Sequence, residues 1–318
     1  MPEIIQRFEP GTLWATVKAR TRWAIACGAI QSIPTHSEWV EQGGVPFLIR
    51  VVAHLARKAQ VSSVQPSSSA STPTSRNPFL PYDPDLFVTD ISATHVCLLN
   101  KFNVLDHHIL IVTRSFEEQE TLLTLSDCEA LWLCLREYEG LAFYNAGEAA
   151  GASQRHKHLQ IIPLPLTPEV PHLPIEPLWR TARFEDTIGV VPCLPFVHGA
   201  MRMDPYWLES SSTGAQDLHQ QYITLLRGVG VLGSQSANRS GKPRPYNLLV
   251  TREWMFLVPR STEYFLDISV NALGFAGMLL VWDEDQLARL KLNGPMTALQ
   301  HVALPSYSVH PTGESHQS

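Results

Sequence analysis

The sequence predicts an α+β protein in which an antiparallel sheet carries helices on one side. Two strand-like runs, His95 to Phe102 and His107 to Arg114, flank a short connection and are typical of a hairpin. Ser126-Asp-Cys-Glu129 then has the spacing of a capping box and predicts the start of a helix. Two more strand-like runs follow, Leu141 to Ala146 and Arg155 to Leu164. The order strand, strand, helix, strand, strand favours neighbouring antiparallel strands with the helix on one face.

The N-terminal 58 residues predict one helix and one strand. Apolar residues recur at helical spacing from Gly11 to Ile30, which indicates a helix packed on the core. Pro46 to Ala53 is typical of a strand. Residues 59–77 contain a stretch rich in Ser, Pro and Thr, Val61 to Ser75, which has too little apolar surface to offset the entropy of ordering. We therefore predict a flexible loop there.

The C-terminal third predicts two helices around a strand pair. Asp217 to Arg227 has a helical pattern, and Tyr246 to Thr251 and Glu253 to Arg260 are typical of paired strands. Asp283 to Leu292 is a second predicted helix, with Asp283 as its N-cap. The tail from residue 305 is expected to be disordered.

Composition excludes several classes of function. The chain has 318 residues, 44% of them apolar, and a net charge of −6, so there is no overall basic field for nucleic acid or an anionic membrane. Five cysteines without a Cys-x-x-Cys pair argue against a disulfide framework or a four-cysteine zinc site and favour a reducing, cytoplasmic compartment. The most apolar stretch, Leu273 to Trp282, is shorter than the about 20 residues that a membrane helix needs.

One strand predicts the chemistry of the protein. Leu141 to Ala146 leads through a loop rich in Gly and Ala to a strand that carries His156, His158 and Gln160. Because side chains alternate along a strand, these three share one face and Lys157 lies on the other. Small loop residues allow backbone amides to approach an anion closely. The pattern indicates two imidazoles and an amide beside a phosphate-binding loop.

A nucleophilic imidazole needs one bare nitrogen, while an acceptor holds the proton on the other. We assign His158 as the nucleophile and expect a backbone carbonyl near His156 to be that acceptor. Gln160 can bind phosphate oxygens but cannot supply a proton at neutral pH, which favours a nucleoside polyphosphate as the leaving group. Considered without its surroundings, a His-x-His pair is more often structural or incidental, and alternating histidines are also good zinc ligands.

The longer segment is more specific. Asn145, followed by Gly151-Ala-Ser153-Gln154-x-His156-Lys-His158-Leu-Gln160, resembles the active-site signature of the diadenosine tetraphosphate phosphorylases, or ATP adenylyltransferases. These belong to the transferase branch of the histidine triad superfamily, which includes galactose-1-phosphate uridylyltransferase and has Gln at the third position. The similarity runs from about Ile30 to about Trp282.

The resemblance implies an activity and its small-molecule partners. The chain is expected to cleave diadenosine tetraphosphate with inorganic phosphate, giving ADP and ATP through an adenylyl-histidine intermediate. No cofactor is expected to be bound by the protein itself, although Mg²⁺ or another divalent ion can enter with the polyphosphate. Neither nucleic acid nor a membrane is expected as a partner.

The resemblance and the loop chemistry together assign the site residues. His158, His156 and Gln160 are the expected catalytic residues. Lys58 and Lys101 resemble family positions that supply positive charge, and the family can carry a lysine where Trp282 stands here. The expected substrate-binding residues are Lys58, Asn100, Lys101, Asn145, Gly151, Ala152, Ser153, Gln154, Gln160, Asn271, Ala272, Leu273 and Met278. His108 also matches a family histidine, for which we expect a structural role.

The implied architecture is a histidine-triad-like antiparallel sheet, extended by a C-terminal segment that completes the nucleotide site. Residues 78–200 would form the catalytic region and residues 201–304 the adenylyltransferase region. Three alternatives remain open at this point. The chain could be a sugar-1-phosphate nucleotidyltransferase of the same branch, a non-catalytic nucleotide sensor, or a metal-binding protein that uses His156 and His158.

Overall fold

A ten-stranded antiparallel sheet forms the centre of the molecule in the computed structural model. The structure describes residues 6–53, 77–167, 172–209, 213–233 and 242–306. Its helices are α1 Leu13–Ala26, α2 Leu125–Leu135, α3 Glu176–Trp179, α4 Gly214–Gly228, α5 Glu284–Asn293 and α6 Pro295–Val302. Its strands are β1 Thr35–Gln42, β2 Val45–Val52, β3 Phe87–Asp90, β4 His95–Leu99, β5 Ile109–Thr113, β6 Gly140–Ala146, β7 His158–Pro163, β8 Arg183–Glu185, β9 Ile188–Val190, β10 Gly199–Arg202, β11 Tyr246–Val250, β12 Trp254–Pro259, β13 Tyr264–Phe265, β14 Ile268–Ser269 and β15 Met278–Val281.

The strand order of the large sheet is β3-β4-β5-β7-β6-β11-β12-β10-β9-β8. A separate three-stranded sheet has the order β1-β2-β15, in which β15 is parallel to β2. Within the large sheet β6 pairs with β11, so the sheet continues without a break from the N-terminal region into the C-terminal region.

The large sheet contains the same topology twice. Its first half has the order β3-β4-β5-β7-β6 and its second half β8-β9-β10-β12-β11, with α2 and α4 at corresponding places in the chain. The registers agree as well: Gln160 pairs with Leu110 and Phe143, and Phe256 pairs with Ala200 and Leu249. Phe256 therefore stands in the second half where Gln160 stands in the first, and Trp254 corresponds to His158.

Apolar side chains cover both faces of the large sheet. On one face, α1, α2 and α4 pack over buried residues such as Tyr144, Leu159 and Leu248. On the other, the small sheet with α3, α5 and α6 packs over residues such as Phe143, Leu249 and Phe256. The predicted antiparallel α+β fold is confirmed, but the sequence did not predict that helices and a second sheet would also cover the second face.

Several predicted elements are present with changed limits. The strands β4 and β5, and β11 and β12, pair as predicted. The start of α2 differs, because the capping box is formed by Thr124 and Asp127 and not by Ser126 and Glu129. Asp127 is the acid that caps because it also accepts hydrogen bonds from two buried side chains, those of Lys157 and His95, described below. Strand β1 was not predicted.

Some predictions fall on residues that are not described. These are the flexible loop over Val61 to Ser75, Lys58 and most of the tail from residue 305. Within the described residues, no helix has the length and apolar character needed to cross a membrane.

Candidate active site

Strands β5, β6 and β7 place the candidate catalytic side chains on one face of the sheet. His158 pairs with Val112, and Gln160 pairs with both Leu110 and Phe143. Directly opposed residues share a face, and so do residues two apart on a strand. Asn145, two residues beyond Phe143, lies on this same face. The first regular residue of β7 is His158, whereas His156 forms an isolated bridge with Glu118, so the strand begins later than predicted.

The His158 ring is held through one nitrogen, and none of the described residues bonds to the other. Its Nδ1–H donates to the carbonyl oxygen of His156 at 2.8 Å. Since a carbonyl oxygen only accepts, Nδ1 carries the proton and Nε2 of the neutral ring keeps its lone pair. The ring is 4% exposed, and burial lowers its pKa to about 4 despite that hydrogen bond. The tautomer expected for a nucleophile, and the position of its acceptor, are confirmed.

His156 is fixed from both sides of its ring. Its Nε2–H donates to the carbonyl oxygen of Thr113 at 2.8 Å, and Asn77 lies 2.9 Å from its Nδ1. The Phe79 ring contacts both histidines, with ring centroids 5.6 Å from His156 and 5.4 Å from His158. Both imidazoles therefore face the same side, and the peptide between them is positioned to accept from His158.

Gln119 holds the backbone of His158 and was not found from the sequence. Its Oε1 accepts from the His158 N–H at 2.8 Å. Its Nε2 donates to the carbonyl oxygens of Asn145 and His158 at 2.9 and 3.1 Å. The side chain is buried, and it links β6 to β7 where the two strands diverge. No motif in the sequence marks such a role.

Lys157 lies on the opposite face, as the alternation of the strand predicted. Its Nζ contacts Glu117 at 2.7 Å and Asp127 at 3.1 Å, and Asp127 also contacts Nε2 of His95 at 3.0 Å. Lys157, Asp127 and His95 are all at most 1% exposed. Burial alone would raise the pKa of Asp127, but the hydrogen bond that it accepts from His95 and the charge of Lys157 together lower it to about 2. This ion pair fixes the backbone on either side of Lys157.

The loop between β6 and β7 requires glycine at Gly151. Its φ is +83°, and a Cβ atom there would lie 2.9 Å from Cα of Asn271 and 2.9 Å from the carbonyl oxygen of Val270. The loop thus packs directly against the segment that begins at Asn271. Within the described part of the chain, the N–H groups of Ser153 and Gln154 have no hydrogen-bond acceptor. Two free amides are the arrangement that binds a phosphate oxygen.

A buried arginine, Arg260, bonds both to the loop that contains Gly151 and to the segment before Asn271. Arg260 is 1% exposed and donates to carbonyl oxygens of Val302, Thr262, Val270 and Ala150. It also donates to Oδ1 of Asn247, whose Nδ2 donates to Oδ1 of Asn145 and to the Ala150 carbonyl, both at 2.8 Å. Burial lowers the pKa of Arg260 to about 9, against the opposing charge of Glu263.

A cavity of about 310 Å³ opens beside these residues. Eight of the predicted site residues line it: Asn100, Asn145, Gly151, Ser153, Gln160, Asn271, Leu273 and Met278. Further lining residues that the sequence did not indicate include Arg50, Phe102, Leu105 and Glu263. The Nε–H of Arg50 is buried without a hydrogen-bond partner among the described residues.

The remaining predicted residues flank the cavity or lie elsewhere. The His158 ring is not part of the lining, but Gln160, two residues along β7, and Asn145, on the neighbouring strand β6, are. The N–H of Ala272 donates to Oδ1 of Asn145 at 3.0 Å, and Nζ of Lys101 lies 5.9 Å from the Phe102 ring centroid. The Trp282 N–H bonds to Gln286. Ala152 and Gln154 belong to the loop but do not line the cavity. Lys58 lies outside the described residues.

Among the described residues, no group of three or more His, Cys, Asp or Glu side chains is placed to hold a metal ion. The two ring nitrogens of His156 already have protein partners.

Two protein-family models match successive parts of the chain. Residues 3–181 match the model of the Ap4A phosphorylase N-terminal domain, and residues 192–305 match that of the ATP adenylyltransferase C-terminal domain. The chain belongs to the Ap4A phosphorylase family. Diadenosine 5',5'''-P1,P4-tetraphosphate phosphorylase 2 of Saccharomyces cerevisiae is 30% identical over 239 residues, which cover 67% of this chain and 71% of that protein.

Solved structures of the family share the fold. Yeast Ap4A phosphorylase Apa2 superposes with a TM-score of 0.76 at 24% identity, covering 97% of this chain and 99% of that one. Its complex with Ap4A has a TM-score of 0.74, also at 24% identity, and covers 94% of this chain and 99% of that one. In this Ap4A phosphorylase family member, the two matched segments meet at the β6–β11 pair, and the site takes residues from both.

Proposed function

We propose that this protein cleaves diadenosine tetraphosphate with inorganic phosphate to ADP and ATP, through an adenylyl group carried on His158. One observation carries the proposal. The His156 carbonyl holds the proton on Nδ1 of His158, no described residue bonds to Nε2, and Gln160 on the same face of β7 lines a cavity whose loop presents free amides. Membership of the Ap4A phosphorylase family supports the choice of substrate.

In the first step, Nε2 of His158 attacks the phosphorus that bears adenosine. A P–N bond forms, the bond from that phosphorus to the bridging oxygen breaks, and ATP leaves. The positive charge that develops on the ring is stabilised by the His156 carbonyl. ATP is an anion that needs no proton at neutral pH, which agrees with an amide at position 160 instead of an acid.

In the second step, an oxygen of inorganic phosphate attacks the same phosphorus. The P–N bond breaks, ADP forms, and the neutral His158 tautomer is restored. Phosphoryl-type transfer of this kind depends mainly on alignment and charge stabilisation. We assign those tasks to Gln160, to the Ser153 and Gln154 amides, and to the positive charge of Arg50, Lys101 and Arg260.

The nucleoside is assigned to the apolar part of the cavity. Phe102, Leu105, Leu273 and Met278 offer surfaces for a base, and the orphaned Nε–H of Arg50 offers a donor. A divalent ion would enter with the polyphosphate, whose oxygens are its preferred ligands. Titration of activity with a chelator tests that point.

The test uses the protein with diadenosine tetraphosphate but without phosphate. We expect the intact mass to rise by one adenylyl group, and added phosphate to release ADP. His158→Asn is the matched variant, since the Asn amide retains a donor to His156 but lacks the nucleophilic nitrogen. It should bind substrate and form no adduct. AMP released without phosphate, or an adduct on the variant, contradicts the proposal; exchange with UDP-sugars would instead indicate a sugar-1-phosphate transferase.

A further inference from the structure

His108 immediately precedes β5, and within the described part of the chain one of its ring nitrogens has no partner. The Phe102 N–H donates to Oδ1 of Asn100 at 3.2 Å, which fixes the orientation of that amide. Asn100 Nδ2 therefore donates to Nδ1 of His108, 3.1 Å away. Because Nδ1 accepts, the proton of the neutral ring is on Nε2. That Nε2–H is buried and has no hydrogen-bond partner within normal distance among the described residues.

The internal repeat provides a comparison within the same molecule. His198 immediately precedes β10, as His108 precedes β5. The His198 Nδ1–H donates to the Phe196 carbonyl at 2.8 Å, and its Nε2 accepts from the Val191 N–H at 2.8 Å. His198 is thus satisfied entirely by backbone groups. At the same place in the first half, Asn100 imposes the other tautomer and leaves a donor unused.

The unused donor lies on the catalytic face. His108 precedes Leu110 by two residues, and Leu110 pairs with Gln160, so the side chains of His108 and Gln160 share that face. Both line the cavity. Burial lowers the pKa of His108 to about 4, and the Gln160 amide, which can accept from the ring, opposes this effect. In the second half the place of Gln160 is taken by Phe256, which stacks on Trp179 with ring centroids 5.0 Å apart and offers no acceptor.

We propose that His108 is a positioning residue for Gln160: its Nε2–H donates to Oε1 of Gln160 in the substrate complex and turns the Gln160 NH₂ group toward the phosphate oxygens. A glutamine amide can present either its oxygen or its nitrogen to a ligand. Only the nitrogen attracts an anion, and the oxygen would repel it. The series Phe102 N–H, Asn100, His108, Gln160 sets that choice when substrate binds. The inference rests on the proposed function.

Two substitutions remove this orientation in different ways. His108→Phe keeps an aromatic ring of similar size but has no donor. Asn100→Asp changes almost no volume, but its carboxylate accepts from Nδ1–H and so leaves Nε2 bare. At alkaline pH, where the ring stays neutral, Nε2 can then accept only from the Gln160 NH₂ group, which directs Oε1 at the phosphate. We expect either variant to lower the single-turnover rate of adenylylation on the order of tenfold, with little change in KM.

The decisive measurement is a double-mutant cycle with Gln160→Ala. If His108 acts through Gln160, His108→Phe should have no further effect on the rate in the Gln160→Ala background. The matched control is His198→Phe, the equivalent position in the second half, which should keep the rate per folded molecule. Urea unfolding of each variant gives the folded fraction.

Additive losses, or Asn100→Asp with the wild-type rate, would overturn this inference. Failure of the proposed function would give a different result. No adenylyl adduct would then form on the wild-type protein or on any variant at position 108.

Discussion

The Nδ2 group of Asn247 donates to Oδ1 of Asn145 at 2.8 Å, across the junction between β6 and β11. The same group also reaches the Ala150 carbonyl, so one buried amide ties the strand before the phosphate loop to the loop itself. Asn247 comes from the C-terminal region and Asn145 from the N-terminal one. The shape of the site therefore depends on a contact between distant parts of the chain.

Replacing Asn247 with leucine should destabilise the protein and weaken substrate binding together. The change removes the donor and leaves the Asn145 oxygen with only the Ala272 N–H. A lost buried hydrogen bond with an unsatisfied partner costs about 1–3 kcal/mol in the free energy of unfolding. Urea denaturation and the KM for diadenosine tetraphosphate measure the two effects. An unchanged denaturation midpoint would show that the contact contributes nothing.

Arg260 should tolerate neither lysine nor methionine. Lysine retains the charge but cannot reach the several carbonyl oxygens that the guanidinium group contacts, and methionine loses both charge and donors. We expect a loss of about 3 kcal/mol in unfolding free energy for each variant. Only the methionine variant should also raise KM strongly, because it removes the positive charge that contacts the loop between β6 and β7. Arg183→Lys, on an exposed edge strand, is the control and should change stability by less than about 0.5 kcal/mol.

Gly151→Ala and Gly230→Ala separate backbone strain from crowding. Both glycines have positive φ, +83° and +73°, so alanine at either costs about 1 kcal/mol of strain. Only at Gly151 would the new Cβ meet the Asn271 backbone, whereas nothing lies within 4 Å at Gly230. We expect Gly151→Ala alone to raise KM, since it must push the loop from the Asn271 segment. Equal KM values for the two variants would contradict that close packing.

Adenylylation should remain active at unusually low pH. The proposed nucleophile, the His158 ring, is reactive when neutral, and burial lowers its pKa from 6.5 to about 4. The acid limb of the single-turnover rate, measured without inorganic phosphate so that the acceptor does not titrate, should therefore lie near pH 4. A midpoint at the ordinary histidine value would mean that the ring is solvated during reaction.

The same shifts make stability depend on pH. His158 and His108 both have a folded pKa of about 4, below the unfolded value of 6.5, so the unfolded chain binds more protons in that window. The contribution is complete above the unfolded pKa and is lost as pH falls toward the folded value. Urea midpoints between these limits should decline on acidification, and His158→Asn should make the decline shallower.

The sequence was sufficient to predict which face of β7 each side chain occupies, and to predict that β4 pairs with β5 and β11 with β12. Alternation along a strand is a local rule, so it placed His158, Gln160 and Lys157 on their correct faces. The residues that it missed act through contacts distant in sequence. Gln119 reaches His158 from a segment without any motif, and Arg260 reaches Ala150 from the end of β12.

The start of α2 was predicted at the wrong residue because two local helix-start signals compete there. Both Thr124-x-x-Asp127 and Ser126-x-x-Glu129 can open a helix, and the buried contact of Asp127 with Lys157, which no local pattern reveals, selects the first. The strand β1 was missed because Trp39 and Val40, its two apolar residues, point to opposite faces, so no alternation of polar and apolar residues marks it.

The repeat in the large sheet sets a stoichiometry. In the second copy of the topology, the aromatic residues Trp254 and Phe256 stand where His158 and Gln160 stand in the first. Each polypeptide should thus accept a single adenylyl group. The second half of the sheet then contributes packing that supports the first half.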